Sequence, residues 1–360
     1  MNARGFTLIE WLIAMLIGVF LVGGGLSIFV ASRATTEDAF DQSELQENGR
    51  TAMRLVTQDL KWAGFWGDYT GSPLIIGSGA VQSNTGASLV SSIDCLDERG
   101  QGSLPTATSL VRPLWIGWID NTRAITGGAF SCIPIGVRVA RTNVISIKRL
   151  IGDPFDISDL PAATVASRLL EANTKTAASD RFYLATTTES AELFKSGDVI
   201  NSTSRPSHLW EYQHVIYYIS SGDIPMLRKK YLTVSGGLSS NDESISGCSA
   251  PNDCSLGVAA GIQNMQVLLG VDNDIVQDGV VDSYVSGQNV TSDEWREGRV
   301  ISARVFILVR SLQESHDYEN NNIYQVGTES VSGNGDGYRR LLLESSVSLR
   351  NPAVIAGGGK

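Results

Sequence analysis

Residues 6–32 read FTLIEWLIAMLIGVFLVGGGLSIFVAS, apolar on every side of a helix and interrupted by a single charge, Glu10. At ~1.5 Å per residue, roughly 27 residues of helix extend about 40 Å, longer than the ~30 Å hydrocarbon core of a bilayer. The pattern predicts a transmembrane helix over 6–32, since the apolar region of a secretory signal runs only ~7–15 residues behind a longer basic region. Past Arg33 the apolar face nearly vanishes until Glu44, which predicts a solvated helical neck. Leu45, Gly49, Ala52, Val56, Leu60 and Ala63 then recur at spacings of three and four, the stripe of a helix laid on a sheet. This amphipathic continuation is expected over 33–66, ended by Gly64, Gly67, Gly71 and Pro73.

The remainder reads as strands and long loops. Residues 72–103 are rich in Gly, Ser and Asn and carry too little apolar surface to be paired strand throughout. Segments rich in β-branched and aromatic residues predict strands at 137–147, 181–186, 214–219, 226–232, 261–271, 300–310 and 341–349. Antiparallel pairing is the default, with turns at 220–225 and 333–337 and a short helix at 160–172. The expected fold class is α+β, a long N-terminal helix packed on an antiparallel sheet, with one globular domain over 67–360.

Composition narrows the function. The chain has 360 residues and a formal net charge of −10, from 28 Lys+Arg against 38 Asp+Glu. That balance, with no dense basic cluster, argues against nucleic acid as a partner, because neutralising phosphates needs a basic face. Three histidines and four cysteines without CxxC spacing favour neither a zinc centre nor a thioredoxin-like site. Arg4 and Arg33 flank the span, so the Lys/Arg rule says little on orientation. The cysteines, all in the C-terminal part, suit disulfides in an oxidising compartment outside an inner membrane.

The short leader MNAR followed by Gly5 and then Phe6-Thr7-Leu8-Ile9-Glu10 resembles the type IV prepilin signature. GRTAMRLVTQDLKWAGFWG, GIQNMQVLLGVDND and YRRLLLESSVSLRNP resemble the large minor pilins of the PilW family, strongly over the first seventy or so residues and in patches beyond. The resemblance implies a leader over 1–5, cleavage between Gly5 and Phe6 by a prepilin peptidase, methylation of Phe6, and a meeting of Glu10 with the N-terminal amine of a neighbouring subunit. It also implies other minor pilins and the major pilin as partners, together with a PilY-type tip adhesin. Localisation would be the inner membrane with a periplasmic domain, then the pilus. In one respect the chain departs from major pilins: Gly23, Gly24 and Gly25 stand where those carry a kinking proline. Each costs ~1 kcal/mol relative to alanine in a helix, which softens the helix, or else lets helices approach closely.

Candidate sites follow. A carboxylate within a span costs ~2.5–3.5 kcal/mol near the centre and marks a functional site by default, although the shallow depth of Glu10 also lets it reach headgroup water. Cys95, Cys132, Cys248 and Cys254 allow three pairings; Cys248 and Cys254 are close in sequence, which leaves Cys95 with Cys132. Asp272, Asp274, Asp278 and Asp282, in DNDIVQDGVVD, resemble a calcium loop with two residues too many, and a solvated acidic turn is the plainer alternative. No other cofactor is expected. His208 and His214 would share a face only within one strand, and no HExxH, P-loop or G-x-S-x-G is present. The chain reads as a non-enzymatic minor pilin that primes filament assembly near the tip, with a J-type pseudopilin of type II secretion or a pilin-borne adhesin as alternatives.

Overall fold

The computed structural model of the chain describes residues 7–70, 81–83, 94–95, 102–105, 112–126, 130, 132–152, 154–156, 181–195, 207–234 and 256–351. The helix α1 (Leu8–Trp62) runs for 55 residues, about 80 Å at ~1.5 Å per residue. Its first half is bare among the described residues: the large apolar side chains from Leu8 to Val30 are 51–80% exposed. All six residues of the expected stripe, Leu45 to Ala63, are buried. The helix stops at Trp62, four residues short of the expected boundary, because Ala63 turns to extended backbone and Gly64 takes φ 71°.

The strands are β1 (Val81–Ser83), β2 (Leu114–Ile119), β3 (Ile125–Thr126), β4 (Thr142–Leu150), β5 (Phe155–Asp156), β6 (Phe182–Thr186), β7 (Ala191–Lys195), β8 (His208–Ser220), β9 (Met226–Tyr231), β10 (Leu256–Ala260), β11 (Ile262–Val271), β12 (Ser283–Ser286), β13 (Val300–Arg310), β14 (Ile323–Val326), β15 (Glu329–Ser332) and β16 (Arg340–Ser348). A short helix, α2 (Ser292–Arg296), precedes β13. The larger sheet follows the order β1-β7-β6-β8-β4-β2-β3, with β5 and β9 also on β8 and β10 on β9; the smaller is β12-β11-β13-β16, and β14-β15 stands as a hairpin. Among the described residues pairing is antiparallel except at one edge, where β1 runs parallel to β7, a departure from the antiparallel expectation. The expected 137–147 strand begins only at Thr142, after a 3-10 turn at Ile135–Val137. The expected helix at 160–172 lies outside the described residues.

Two cores result. One lies between the α1 stripe, the smaller sheet and the inner face of β4 and β8; the other covers the opposite face of the larger sheet. The period-2 alternation of a strand divides β8 between them: Val215, Tyr217 and Ile219 join the first, Tyr212, Ile216 and Tyr218 the second. Strand β16 runs alongside α1 in the same direction. Arg339 meets Asp38 at 2.5 Å near the start of the contact, and Asn351 donates to the Lys61 carbonyl at 3.2 Å near its end. Between them Gly49 sets the spacing, since a Cβ there would come within 2.5 Å of Leu343 Cδ1 and 2.9 Å of Val309 Cγ2. Because Val271 pairs with Val300 and Ser302 with Ser348, the loop after β11 leaves the sheet at the end where α1 finishes.

Candidate functional site

The start of α1 is built around Thr7 and Glu10. Amides at a helix N-terminus lack intrahelical partners, and the sequence Thr-x-x-Glu satisfies two of the donors there locally as a capping box. Thr7 Oγ1 accepts the Glu10 amide at 3.4 Å, while the Glu10 carboxylate accepts the Thr7 amide at 2.8 Å and its hydroxyl at 2.9 Å. Both side chains are exposed. The carboxylate is thus held within one turn of the helix start, on Thr7; Gly5 and Phe6 lie outside the described residues.

At its other end α1 is fastened by charge. Asp59 sits on the buried face beside Leu60 and accepts from Arg149 Nη2 at 2.6 Å, Lys229 Nζ at 3.1 Å and the Tyr217 hydroxyl at 2.6 Å. Burial first, then the Asp59 charge and hydrogen bond, push the Tyr217 phenol well above its usual range. Three strands of the larger sheet thereby hold one helical carboxylate. In the sequence Asp59 falls off the apolar stripe that ends at Ala63, and the signal that identifies it comes only from residues far along the chain.

The two histidines do share a strand and a face, since β8 begins at His208. His208 Nδ1 meets Asp68 at 3.1 Å, and Asp68 also accepts from Thr186 and from Trp210 Nε1. His214 is deep in the second core, between Ser103 Oγ at 2.9 Å and Ser146 Oγ at 2.7 Å; Ser103 in turn donates to Asp94. Burial, with the Lys148 ammonium as a second cause, holds the His214 imidazole well below its usual pKa, so it is neutral. Both nitrogens are occupied and the ring is 2% exposed, which makes it a polar strut of the core. The adjacent Cys95 is disulfide-bonded to Cys132, with Cα atoms 5.1 Å apart. Cys248 and Cys254 lie outside the described residues.

The acidic loop forms a partial cluster. Ligand oxygens of Asp272, Asp274 and Asp282 lie within 4.8 Å of one another and could hold a cation, while Asp278 stands apart and instead accepts the Val280 amide at 2.8 Å. The spacing puts Asp272 and Asp282 opposite each other at the base of the hairpin, whereas Asp278 sits at its turn. Repulsion from Asp282, with smaller effects of burial, Asp278 and Asp272, raises the Asp274 carboxyl above its usual range. Both oxygens of Asp272 already accept backbone amides, from Asp274 and Gly279, so any cation would share those lone-pair donors.

Comparison with known proteins agrees with this layout. Residues 216–351 match the family model of Type IV Pilus-assembly protein W, and residues 1–26 match the prokaryotic N-terminal methylation motif. The pilin-like protein PilA3 of Thermus thermophilus is 40% identical over 65 residues, 18% of this chain and 28% of that protein. The chain therefore spans little more than a quarter of that relative's length. A solved type IV-like pilin from Thermus thermophilus is 13% identical, covers 53% of this chain and 96% of its own, and has a TM-score of 0.21, a likeness too slight to carry an argument. The two matched segments correspond to the bare half of α1 and to the strands that hold its other half. The chain is thus similar to the PilW family model over its C-terminal strands and to the methylation motif over its first residues.

Proposed function

We propose that the chain is anchored in an inner membrane by the first half of α1, with its sheet domain in the periplasm. From there it enters the pilus, where it primes filament assembly near the tip. The observation that carries this reading is the division of one continuous helix into an apolar half exposed on all sides and a half clamped to the sheet. A helix apolar all round is suited to lipid or to other apolar helices. Within that half, a carboxylate one turn from the start is the natural partner for the amine that cleavage after Gly5 would create on Phe6. Prepilin peptidase, other minor pilins and the major pilin are the proposed partners, with a PilY-type adhesin at the tip. We also propose calcium as the cation for Asp272, Asp274 and Asp282, with Asp278 outside the cluster, because hard cations take closely spaced carboxylate oxygens.

The test is intact-mass and N-terminal analysis of protein from its native membrane. Loss of MNARG with a methylated Phe6 is the expected result, and a retained leader would overturn the reading. Glu10→Gln, which removes the charge without adding bulk, is expected to leave membrane insertion intact and to reduce piliation; normal piliation would show that the charge is dispensable.

A further inference from the structure

The β11–β12 loop has a feature that helix-driven assembly does not explain. Three aliphatic side chains stand out in water there: Ile275 is 98% exposed, Val276 81% and Val280 60%. The loop that displays them is tied down. Asp272 accepts the Gly279 amide at 2.9 Å and Asp282 accepts that of Asn273 at 2.6 Å, while Arg299 donates to the Asp274 carbonyl at 2.7 Å and Gln277 to that of Glu297 at 2.9 Å. Gly279 makes the turn at φ 79°, a backbone region that glycine enters freely. A hairpin fixed at its root and along its side cannot fold its tip onto the sheet, so the apolar tip is held ready for a partner.

The surroundings of the tip specify what that partner presents. Asp278, outside the proposed cation cluster, is exposed beside it, as are Asp293 and Glu297 on the neighbouring α2 turn. Among the described side chains, the cation in contact with the loop is Arg299, engaged with the Asp272 and Asp274 carbonyls and with Glu297. We propose that this loop is a docking knob for a partner protein whose surface offers an aliphatic pocket ringed by lysine and arginine. Apolar side chains set in a polar rim are the anatomy of a protein interface, and complementary charge fixes the partner and its register. A lipid surface fits poorly: anionic headgroups would be repelled, and the loop leaves the sheet at the end of α1 remote from the half that meets the bilayer. This placement rests on the anchoring proposed above.

The experiment uses the full chain in cells that make it, with a benzophenone amino acid replacing Ile275 in the loop, Ile323 on an exposed strand elsewhere as control, or Val22 in the apolar half of α1. The expected result is one protein adduct at position 275, on a peptide containing Lys or Arg and well above the yield at 323. Asp278→Asn combined with Asp293→Asn is expected to lower that yield about tenfold, the loss equivalent to one modest charge contact, with an unchanged melting temperature. The proposal is overturned by a yield at 275 no greater than at 323, by an adduct with lipid or with a second copy of the chain, or by indifference to the Asn substitutions. Adducts from Val22 to other pilins report the anchoring separately: their presence without a 275 adduct removes the docking knob alone, and their absence counts against the assembly reading itself.

Discussion

Asp59→Ala probes the fastening of α1. The carboxylate receives three donors, Arg149 and Tyr217 at 2.6 Å and Lys229 at 3.1 Å. Removing it leaves two cations facing a place where no anion remains. Breaking a buried ion pair from one side costs about 3–5 kcal/mol, chiefly through the charge left behind. Here the Arg149 and Lys229 side chains keep 13% and 19% exposure against 6% for Asp59. Water therefore reaches part of each cation, and the lower end, about 3 kcal/mol, is expected. The assay is urea unfolding of the full-length protein in detergent micelles, followed by near-ultraviolet circular dichroism, with Arg149→Met in both backgrounds. Arg149→Met should cost markedly less once Asp59 is gone, with a coupling of about 0.5–3 kcal/mol. A loss below about 1 kcal/mol for Asp59→Ala, the range of an exposed pair, would refute the reasoning, as would strict additivity with Arg149→Met.

Three further outcomes are expected. His214 is held neutral, its pKa depressed from the unfolded value of 6.5, so its contribution is fully present above that pH and is lost as pH falls below it, at up to about 1.4 kcal/mol per unit. His214→Gln should flatten the acid side of a melting-temperature against pH profile; a parallel profile would show that another group is responsible. Gly287→Ala drives a methyl group into the Ile116 side chain and is expected to cost about 1–3 kcal/mol as an overpacked contact, read by the same urea titration. Millimolar calcium should raise the melting temperature of the native chain but not of Asp272→Asn, the buried member of the acidic cluster; equal responses would show that the loop holds no ion.

How far the fold was legible depended on whether its determinants are local. The stripe from Leu45 to Ala63 stands out because burial on one face imposes a period that a short window can read, while the strand 300–310 stands out by its run of β-branched residues, although residues 305–309 are buried on both faces. β2 was missed because its run LWIGWI is buried at nearly every position and shows no alternation. β14 and β15 were missed because their hairpin is mostly polar, with Val326 its one fully buried apolar residue. Asp59 failed for a different reason: its partners lie 90 to 170 residues away, and a carboxylate on a helix otherwise reads as solvated. Of the acidic run, the residues at the base of the hairpin converge and the one at the turn does not, a difference set by strand pairing.

The pairing of α1 with β16 also constrains when this protein can fold. The helix stripe is covered largely by strands from residues 300–349, and the contact between Asp38 and Arg339 closes 301 residues of sequence. Contacts between such distant segments form late, because loop-closure entropy must be met before they contribute. On the export route proposed above, the second half of α1 crosses first; Asp59 meets Arg149, Tyr217 and Lys229 midway through the chain, while the face around Gly49 is covered only once Val309 and Leu343 have followed. Completion of the C-terminal strand acts as a length check: a chain cut short before Arg340 retains α1 but lacks β16, the strand that lies along it between Asp38 and Lys61.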